Sequence, residues 1–363
     1  MAELINAPPK SEYKKSSNKV FFSYPGNQDH FQINYLGVNP NSIIAGTLHL
    51  RFPSSEPILA SKIDLIFKGS EKVHWTERHG ESTVTYKAKN VFVNQLLPLW
   101  KTSDPNGNYE EIRNLDIPFE ISLPMNLPPS IKIDGGKGKI RYKLIANINR
   151  KGNLWKFKGS EKSVKLSINI IRFFPPSLSL QPFNWNQLYD HEALTRGLGY
   201  NATLENSVGG PNMPFIINLS LKFHKQDFKI TKITFGIKEY HKLTTKRKTR
   251  KSKSYILEKH VKAEELPLNS DSEVNTQVKL EIPRNFCWTI DDRKHIDVNH
   301  KVKIKIHCGG IFTSNIKLGK EVEIRNILLE NYNYDNYNYN NDNNYTNNDN
   351  YNNDEKHAIN FNG

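Results

Sequence analysis

Residues Ile117–Arg150, IPFEISLPMNLPPSIKIDGGKGKIRYKLIANINR, decide the fold. Ile117, Phe119, Ile121 and Leu123 alternate with Pro118, Glu120 and Ser122, which is the period of a strand with one wet face. Further on, Ile140, Tyr142, Leu144, Ala146 and Ile148 alternate with Lys139, Arg141, Lys143 and Asn147. Between the two runs lie Leu123-Pro124, Pro128-Pro129 and Gly135-Gly136-Lys137-Gly138, a connection too rich in proline and glycine to be helix or central strand. The pattern predicts one sheet packed on another. The glycine run leads into a strand, so no helix N-terminus stands behind it to hold a phosphate, and it reads as a hairpin turn.

The same alternation extends in both directions. Val20–Tyr35 reads as two short strands around Pro25-Gly26. Ile44, Gly46, Leu48, Leu50 and Phe52 share one face until Pro53 and Pro57 end the run, and Ile63, Leu65 and Phe67 form the next inward face. Trp75, in a charged segment, is expected to pack on a sheet face. Tyr86–Trp100 gives another strand, and Ser103–Gly107 a turn. Leu154–Phe157 and then Val164, Leu166, Ile168 and Ile170 complete a first sandwich of seven or more strands.

Three prolines in Arg172–Pro182 mark a boundary, and NWNQLYDHEALTRG after it has room for one short helix capped by Asn184 or Asn186. A second series follows: Phe215 to Phe223 on odd positions, then Ile233, Phe235 and Ile237, then Val274, Val278, Leu280 and Ile282. Val302, Ile304, Ile306 and Cys308 alternate with Lys301, Lys303, Lys305 and His307, so HKVKIKI takes the place that GKIRYKLIANI holds earlier. The expected organisation is all-β: a flexible arm over 1–18, a sandwich over 19–171, a linker over 172–197, a second sandwich over 198–330, and an Asn/Tyr-rich tail over 331–363. The tail has too few aliphatic residues to offset its ordering entropy and is expected to be disordered.

The chain has 363 residues, a formal net charge of +14 and two cysteines. That length accommodates two cores, and the charge favours acidic partners. No apolar run reaches the roughly 18 residues of a membrane span, and MAELINAPPKSEYKK has no apolar centre, so a soluble, cytoplasmic chain is expected. Two cysteines suit a reducing compartment.

The sequence contains no Gly-x-Ser-x-Gly, P-loop or His-Glu-x-x-His signature and no convincing pair of catalytic carboxylates, so no enzyme, catalytic residue or cofactor is expected. Cys287, His295, His300, His307 and Cys308 match no paired ligand spacing, and no metal is expected from them. Asp291, Asp292 and Asp297 read as a solvated loop. The pronounced charge feature is KRKTRKSK. Lys246, Arg247, Lys248, Arg250, Lys251 and Lys253 are too dense to bury and must lie on an exposed hairpin or loop, a candidate contact for an acidic partner or anionic lipid. Nucleic acid is disfavoured, because neither an aromatic platform nor a recognition helix accompanies the charge.

PFEISLP, NLPPS, a glycine turn and GKIRYKLIANINR, in that order, resemble the late strands of the arrestin N-terminal domain, particularly its alpha-arrestin branch. Asn39–Trp75, with its KG-x-EKVxW stretch, resembles the opening of that domain, and FKITKITFGIKEY (228–240) and IDVNHKVKIKI (296–306) resemble strands of the C-terminal domain. The resemblance implies two tandem antiparallel immunoglobulin-like β-sandwiches. It also implies a non-catalytic adaptor linking membrane-protein cytoplasmic tails to ubiquitination and endocytic trafficking. The family's usual Pro-Pro-x-Tyr ligand is absent here: Pro8, Pro9 and Tyr13 have the wrong spacing, and Pro175-Pro176-Ser177-Leu178 lacks the tyrosine. A HECT-type ubiquitin ligase would then be reached directly by other contacts or through another adaptor. The alternative is a vesicle-coat or sorting subunit of the retromer arrestin-fold type.

Overall fold

A computed structural model describes residues 18–23, 32–36, 42–152, 159–174, 182–266, 273–283, 286–309 and 314–327. The arm up to residue 17, the Pro25-Gly26 turn, Leu154–Phe157, most of the proline-bearing boundary and the 331–363 tail lie outside the described residues.

Among the described residues, ten strands build the first half: β1 (Val20–Ser23), β2 (Gln32–Leu36), β3 (Ile43–Arg51), β4 (Ile58–His79), β5 (Ser82–Lys101), β6 (Glu110–Ile112), β7 (Asn114–Ser122), β8 (Ile131–Ile133), β9 (Gly138–Arg150) and β10 (Glu161–Phe174). One sheet has the order β1-β3-β7; the other runs β2-β10-β9-β4-β5, with β6 on β4 and β8 on β9. Thus β7 and β9, the two strands of the deciding stretch, lie in opposite sheets, and the proline-rich connection crosses the sandwich between them. Ile140, Tyr142, Leu144, Ala146 and Ile148 on β9 are fully buried in one cluster with Ile44, Leu48 and Leu50 of β3 and Phe119 and Ile121 of β7. Each large aliphatic side chain so buried contributes about 1.5–3 kcal/mol. The Tyr142 hydroxyl donates to the Pro128 carbonyl at 2.6 Å, fixing the crossing connection to the central strand. The glycine run is the expected turn: Ile133 pairs with Gly138, and Gly135 (φ 64) and Gly136 (φ 91) adopt the left-handed conformation that glycine tolerates.

The second half contains β11 (Phe183–Gln187), α1 (His191–Arg196), β12 (Leu198–Leu204), β13 (Val208–Gly209), β14 (Phe215–Phe223), β15 (Lys229–Thr244), β16 (Thr249–Lys262), β17 (Glu273–Leu280), β18 (Ile296–Gly309), β19 (Ile316–Ile324) and β20 (Asn326–Ile327). Its sheets are β11-β12-β14-β17 and β13-β19-β18-β15-β16. The larger sheets of the two halves match strand for strand. Central β9 and β18 each pair on one side with a long hairpin, β4–β5 or β15–β16, and on the other with β10 or β19. HKVKIKI therefore does occupy the position of GKIRYKLIANI.

Two details differ from the sequence expectation. The short helix is capped by Asp190, whose carboxylate accepts from the Ala193 amide at 2.7 Å, and it ends at Gly197 (φ 93). Asn184 and Asn186 sit on β11 instead, paired with Thr203 and Asn201, because Phe183-Asn-Trp185 already alternates as a strand. In addition, β20 pairs parallel with Phe173 and Phe174 of β10, so the second half returns to the first sandwich. A two-residue strand has no periodicity to read. Among the described residues no helix is long and apolar enough to cross a membrane.

The two halves also share packing. Leu243, Ile290, Ile296 and Val298 of the second half belong to the first core, and Trp288 packs on both cores.

Candidate functional site: the basic hairpin and the seam between the sandwiches

KRKTRKSK forms the tip and first turns of the β15–β16 hairpin. Thr245 sets the tip: its hydroxyl donates to the Lys248 carbonyl at 2.9 Å and accepts from the Lys248 and Arg247 amides at 3.0 and 3.3 Å. Lys246, Arg247, Lys251 and Lys253 are exposed, whereas Lys248 and Arg250 are half-buried. The exposed hairpin expected from charge density is present.

Lys248 is differently employed from its neighbours. Its ammonium pairs with Glu77 of β4 and lies 5.5 Å from the centre of the Tyr86 ring of β5. Tyr86 stacks on Trp75 at 5.4 Å, and the Trp75 Nε1–H donates to the other Glu77 oxygen at 3.1 Å. The hydrogen bond with Glu77 raises the Lys248 pKa, and the same bond holds the Glu77 carboxyl below its ordinary value. The two corresponding hairpins of the two sandwiches thus meet. Trp75 packs on its sheet as expected, and also braces this contact.

Deeper in the seam, Glu71 of β4 is fully buried. It accepts from Asn90 Nδ2 at 3.0 Å and from the backbone amide of His295 at 3.1 Å. His295 and Thr244 are joined by a backbone bond of 2.9 Å and by His295 Nδ1 to the Thr244 carbonyl at 2.9 Å. The base of the basic hairpin is therefore held to both halves. On another side of the seam, Asn126, Arg172, Phe174, Asp291, Asp292 and Arg325 line a cleft of about 240 Å³. The guanidiniums of Arg172 and Arg325 each lie over the Phe174 ring, at 4.6 and 4.3 Å from its centre. Burial pushes the Asp291 carboxyl up, with Glu323 adding to it, against the opposing pull of Arg325 at 3.6 Å. Asp291 and Asp292 are exposed, as the sequence suggests, while Asp297 stands 3.9 Å from Lys242.

The cysteine and histidine set divides. His307 bonds Thr234 at 3.1 Å on the outer face of its sheet, and Cys308 is half-buried at the edge of the second core. His300 and Cys287 instead converge on Glu239, with His241 completing the group. Burial raises the Glu239 carboxyl, but hydrogen bonds with His241, His300 and the Cys287 amide outweigh it and bring it down to about 2. Burial, with the Glu239 charge beside it, pushes the Cys287 thiol up to about 12.

A further polar chain crosses the three-stranded sheet: Ser23 Oγ to His49 Nε2 at 2.6 Å, and His49 Nδ1 to Asp116 Oδ1 at 2.7 Å. These are the atoms of a serine–histidine–aspartate relay. Here, however, Ser23 is only 9 % exposed on a strand, and Arg51 Nη2 also holds Asp116 Oδ1, at 2.6 Å. The chain ties β1, β3 and β7 together. Burial raises the Asp116 carboxyl, yet the His49 and Arg51 hydrogen bonds prevail and hold it below its ordinary value.

Sequence reading missed Glu71, Glu239, His241 and the role of His300. A signal was available: Glu71 follows Phe67 on the inward phase of β4, Glu239 and His241 continue the phase of Ile233, Phe235 and Ile237, and His300 falls between Val298 and Val302. Polar residues on an apolar phase must find partners there. The Glu77 partner of Lys248 lies 171 residues away and leaves no local signal.

Residues 38–173 match the family model for the arrestin (or S-antigen) N-terminal domain, and residues 197–354 match that for the C-terminal domain. A search of curated proteins returns no match. With both domain models met in order along the chain, each on one of two sandwiches whose hairpins lock at a common seam, the chain belongs to the arrestin family.

Proposed function

We propose that this chain is an adaptor of the alpha-arrestin kind, linking acidic cytoplasmic tails of membrane cargo to ubiquitination and endocytic trafficking. Family membership supports the adaptor role in general. The observation that carries the finer reading is the hairpin: Lys246, Arg247, Lys251 and Lys253 are exposed on a tip fixed by Thr245 and anchored through Lys248 to Glu77. A rigid array of cations loses little entropy on binding and attracts a flexible anionic segment from about one screening length, ~8 Å at physiological salt. Recruitment of a HECT-type ligase, directly or through another adaptor, completes the role. Anionic membrane around the cargo would add to the same attraction.

The test is binding of a fluorescent acidic tail peptide to the full chain and to a variant carrying Lys246→Gln, Arg247→Gln, Lys251→Gln and Lys253→Gln. Exposed pairs contribute about 0.2–1 kcal/mol each, so the four together predict a loss of roughly 4-fold to several hundred-fold, with a flatter salt dependence. Equal affinity and equal salt slope would refute the assignment. Recovery of the chain in a stoichiometric coat complex, with no cargo dependence, would favour the sorting-subunit reading.

A further inference from the structure

We infer that Glu239, His241 and Cys287 form a binding site for one divalent cation of the zinc class, with His300 holding the far oxygen of the Glu239 carboxylate, placed where the second sandwich meets the seam. The donors come from two segments, Glu239 and His241 from β15 and Cys287 from the strap over 286–290, and β18 sets His300 beside them. Glu239 Oε1 is 2.6 Å from His241 Nε2, and Glu239 Oε2 is 3.2 Å from His300 Nε2. Ligand atoms of Glu239, His241 and Cys287 all lie within 4.8 Å of one another.

Donors on a tetrahedral zinc stand roughly 3.3–3.7 Å apart, given bonds of about 2.0–2.3 Å. The Glu239–His241 pair opens to that spacing by a displacement of under about 1 Å.

Three further observations support a metal. Both imidazoles point Nε2 at the carboxylate and leave Nδ1 to a hydroxyl, His300 to Thr289 Oγ1 at 2.9 Å and His241 to Ser252 Oγ at 3.4 Å. That is the outer-sphere arrangement by which metal-binding histidines are oriented, since a hydroxyl can accept Nδ1–H once Nε2 binds the ion. Glu239 and His300 are buried, and a buried charge needs compensation. One carboxylate and one thiolate neutralise a dication, leaving the loaded site without net charge. Finally, one sulfur, one imidazole nitrogen and one carboxylate select zinc-class ions over magnesium or calcium.

Loading converts the Cys287 thiol to thiolate and releases one proton per ion. The strap so pinned carries Trp288, which packs on both cores, and Ile290, which lies in the first. The ion would therefore stiffen the seam. Sequence spacing could not show the site, because its ligands span residues 239 to 287 on separate segments.

The experiment uses the full, untagged chain, stripped with a chelator and titrated with Zn²⁺ and, separately, Co²⁺. Expected are one tight zinc per chain, a higher melting temperature on loading, and a cobalt spectrum with tetrahedral visible bands and a thiolate-to-cobalt charge-transfer band. Cys287→Ser removes that band, Cys308→Ser keeps it, and His241→Gln weakens zinc binding at least tenfold with the fold intact by circular dichroism. If the folded wild-type chain shows no thiolate band, or Cys287→Ser retains it, the four side chains are only a hydrogen-bonded network and the site is refuted. Should Cys287→Ser fail to fold, the absence or presence of the band in the wild-type chain and in Cys308→Ser decides the matter.

Discussion

Gly138 and Leu243 test whether the two sandwiches share packing at the seam. Leu243, near the end of β15, is 1 % exposed inside the first core, and Gly138 opens β9 beneath it. A Cβ added at Gly138 would stand 2.9 Å from Leu243 Cδ2, but 3.5 Å from the Ile133 Cβ and Cδ1 atoms, which is ordinary contact. Leu243→Ala alone removes buried methyl groups and should cost about 2–5 kcal/mol. Gly138→Ala alone brings two opposing effects: overpacking against Leu243 costs about 1–3 kcal/mol, and the reduced freedom of the unfolded chain returns about 0.4–1. The net effect is destabilising. In the Leu243→Ala background the obstructing methyl is gone, so the same Gly138→Ala change becomes stabilising and fills part of the cavity. The coupling predicted between the two sites is about 1–3 kcal/mol. Urea unfolding of the four proteins, followed by tryptophan fluorescence, measures it, with Trp288 reporting the seam itself. If Gly138→Ala has the same effect in both backgrounds within about 0.5 kcal/mol, the residues do not touch and the shared packing is wrong.

Tyr142→Phe deletes the hydroxyl that donates to the Pro128 carbonyl and leaves that buried oxygen without this donor, so a loss of about 1–3 kcal/mol is expected in denaturant unfolding; a neutral result would mean that the connection is not fixed by this bond. Asp190→Ala removes the cap of α1 and should cost about 0.5–2 kcal/mol, whereas Asn184→Ala should leave the helix unaffected; the reverse order would restore the asparagine cap. Asp116 has a lowered folded-state pKa, so its contribution is fully present above its unfolded value, near 3.8, and is lost as pH falls through the lower folded value. The stability gap between wild type and Asp116→Asn should accordingly be constant from pH 7 to about 5 and close below about 4; a gap that widens on acidification would contradict the His49 and Arg51 bonds.

Alternation showed the strands because each sheet face is sorted by solvent every second residue, and that rule acts locally. It located Ile140–Ile148 and Val302–Ile306 as matching central strands before any pairing was known. The seam obeys no local rule. Lys248 looks like its five basic neighbours until Glu77, on another hairpin, selects it. The distinction changes how the basic stretch should be understood: one of its cations closes the molecule, and its exposed neighbours face outward on a tip that this contact steadies. At the seam and beside it in the second half, the polar residues that broke the apolar phase, Glu71, Glu239, His241 and His300, each meet a partner from another strand or segment. A buried carboxylate left without such partners costs several kcal/mol, so Glu71, with one donor from Asn90 of the first half and one from the His295 amide of the second, limits which approach of the two sandwiches is tolerated, while the surrounding Leu243, Ile290, Ile296 and Val298 supply most of the attraction. Apolar contact alone permits many sliding arrangements of two sheets' ends; the Glu71 carboxylate disfavours those in which its donors from the two halves do not coincide. The exposed cations of the hairpin thereby inherit a fixed position relative to the first sandwich, which is what an adaptor needs if a partner is to touch both halves at once.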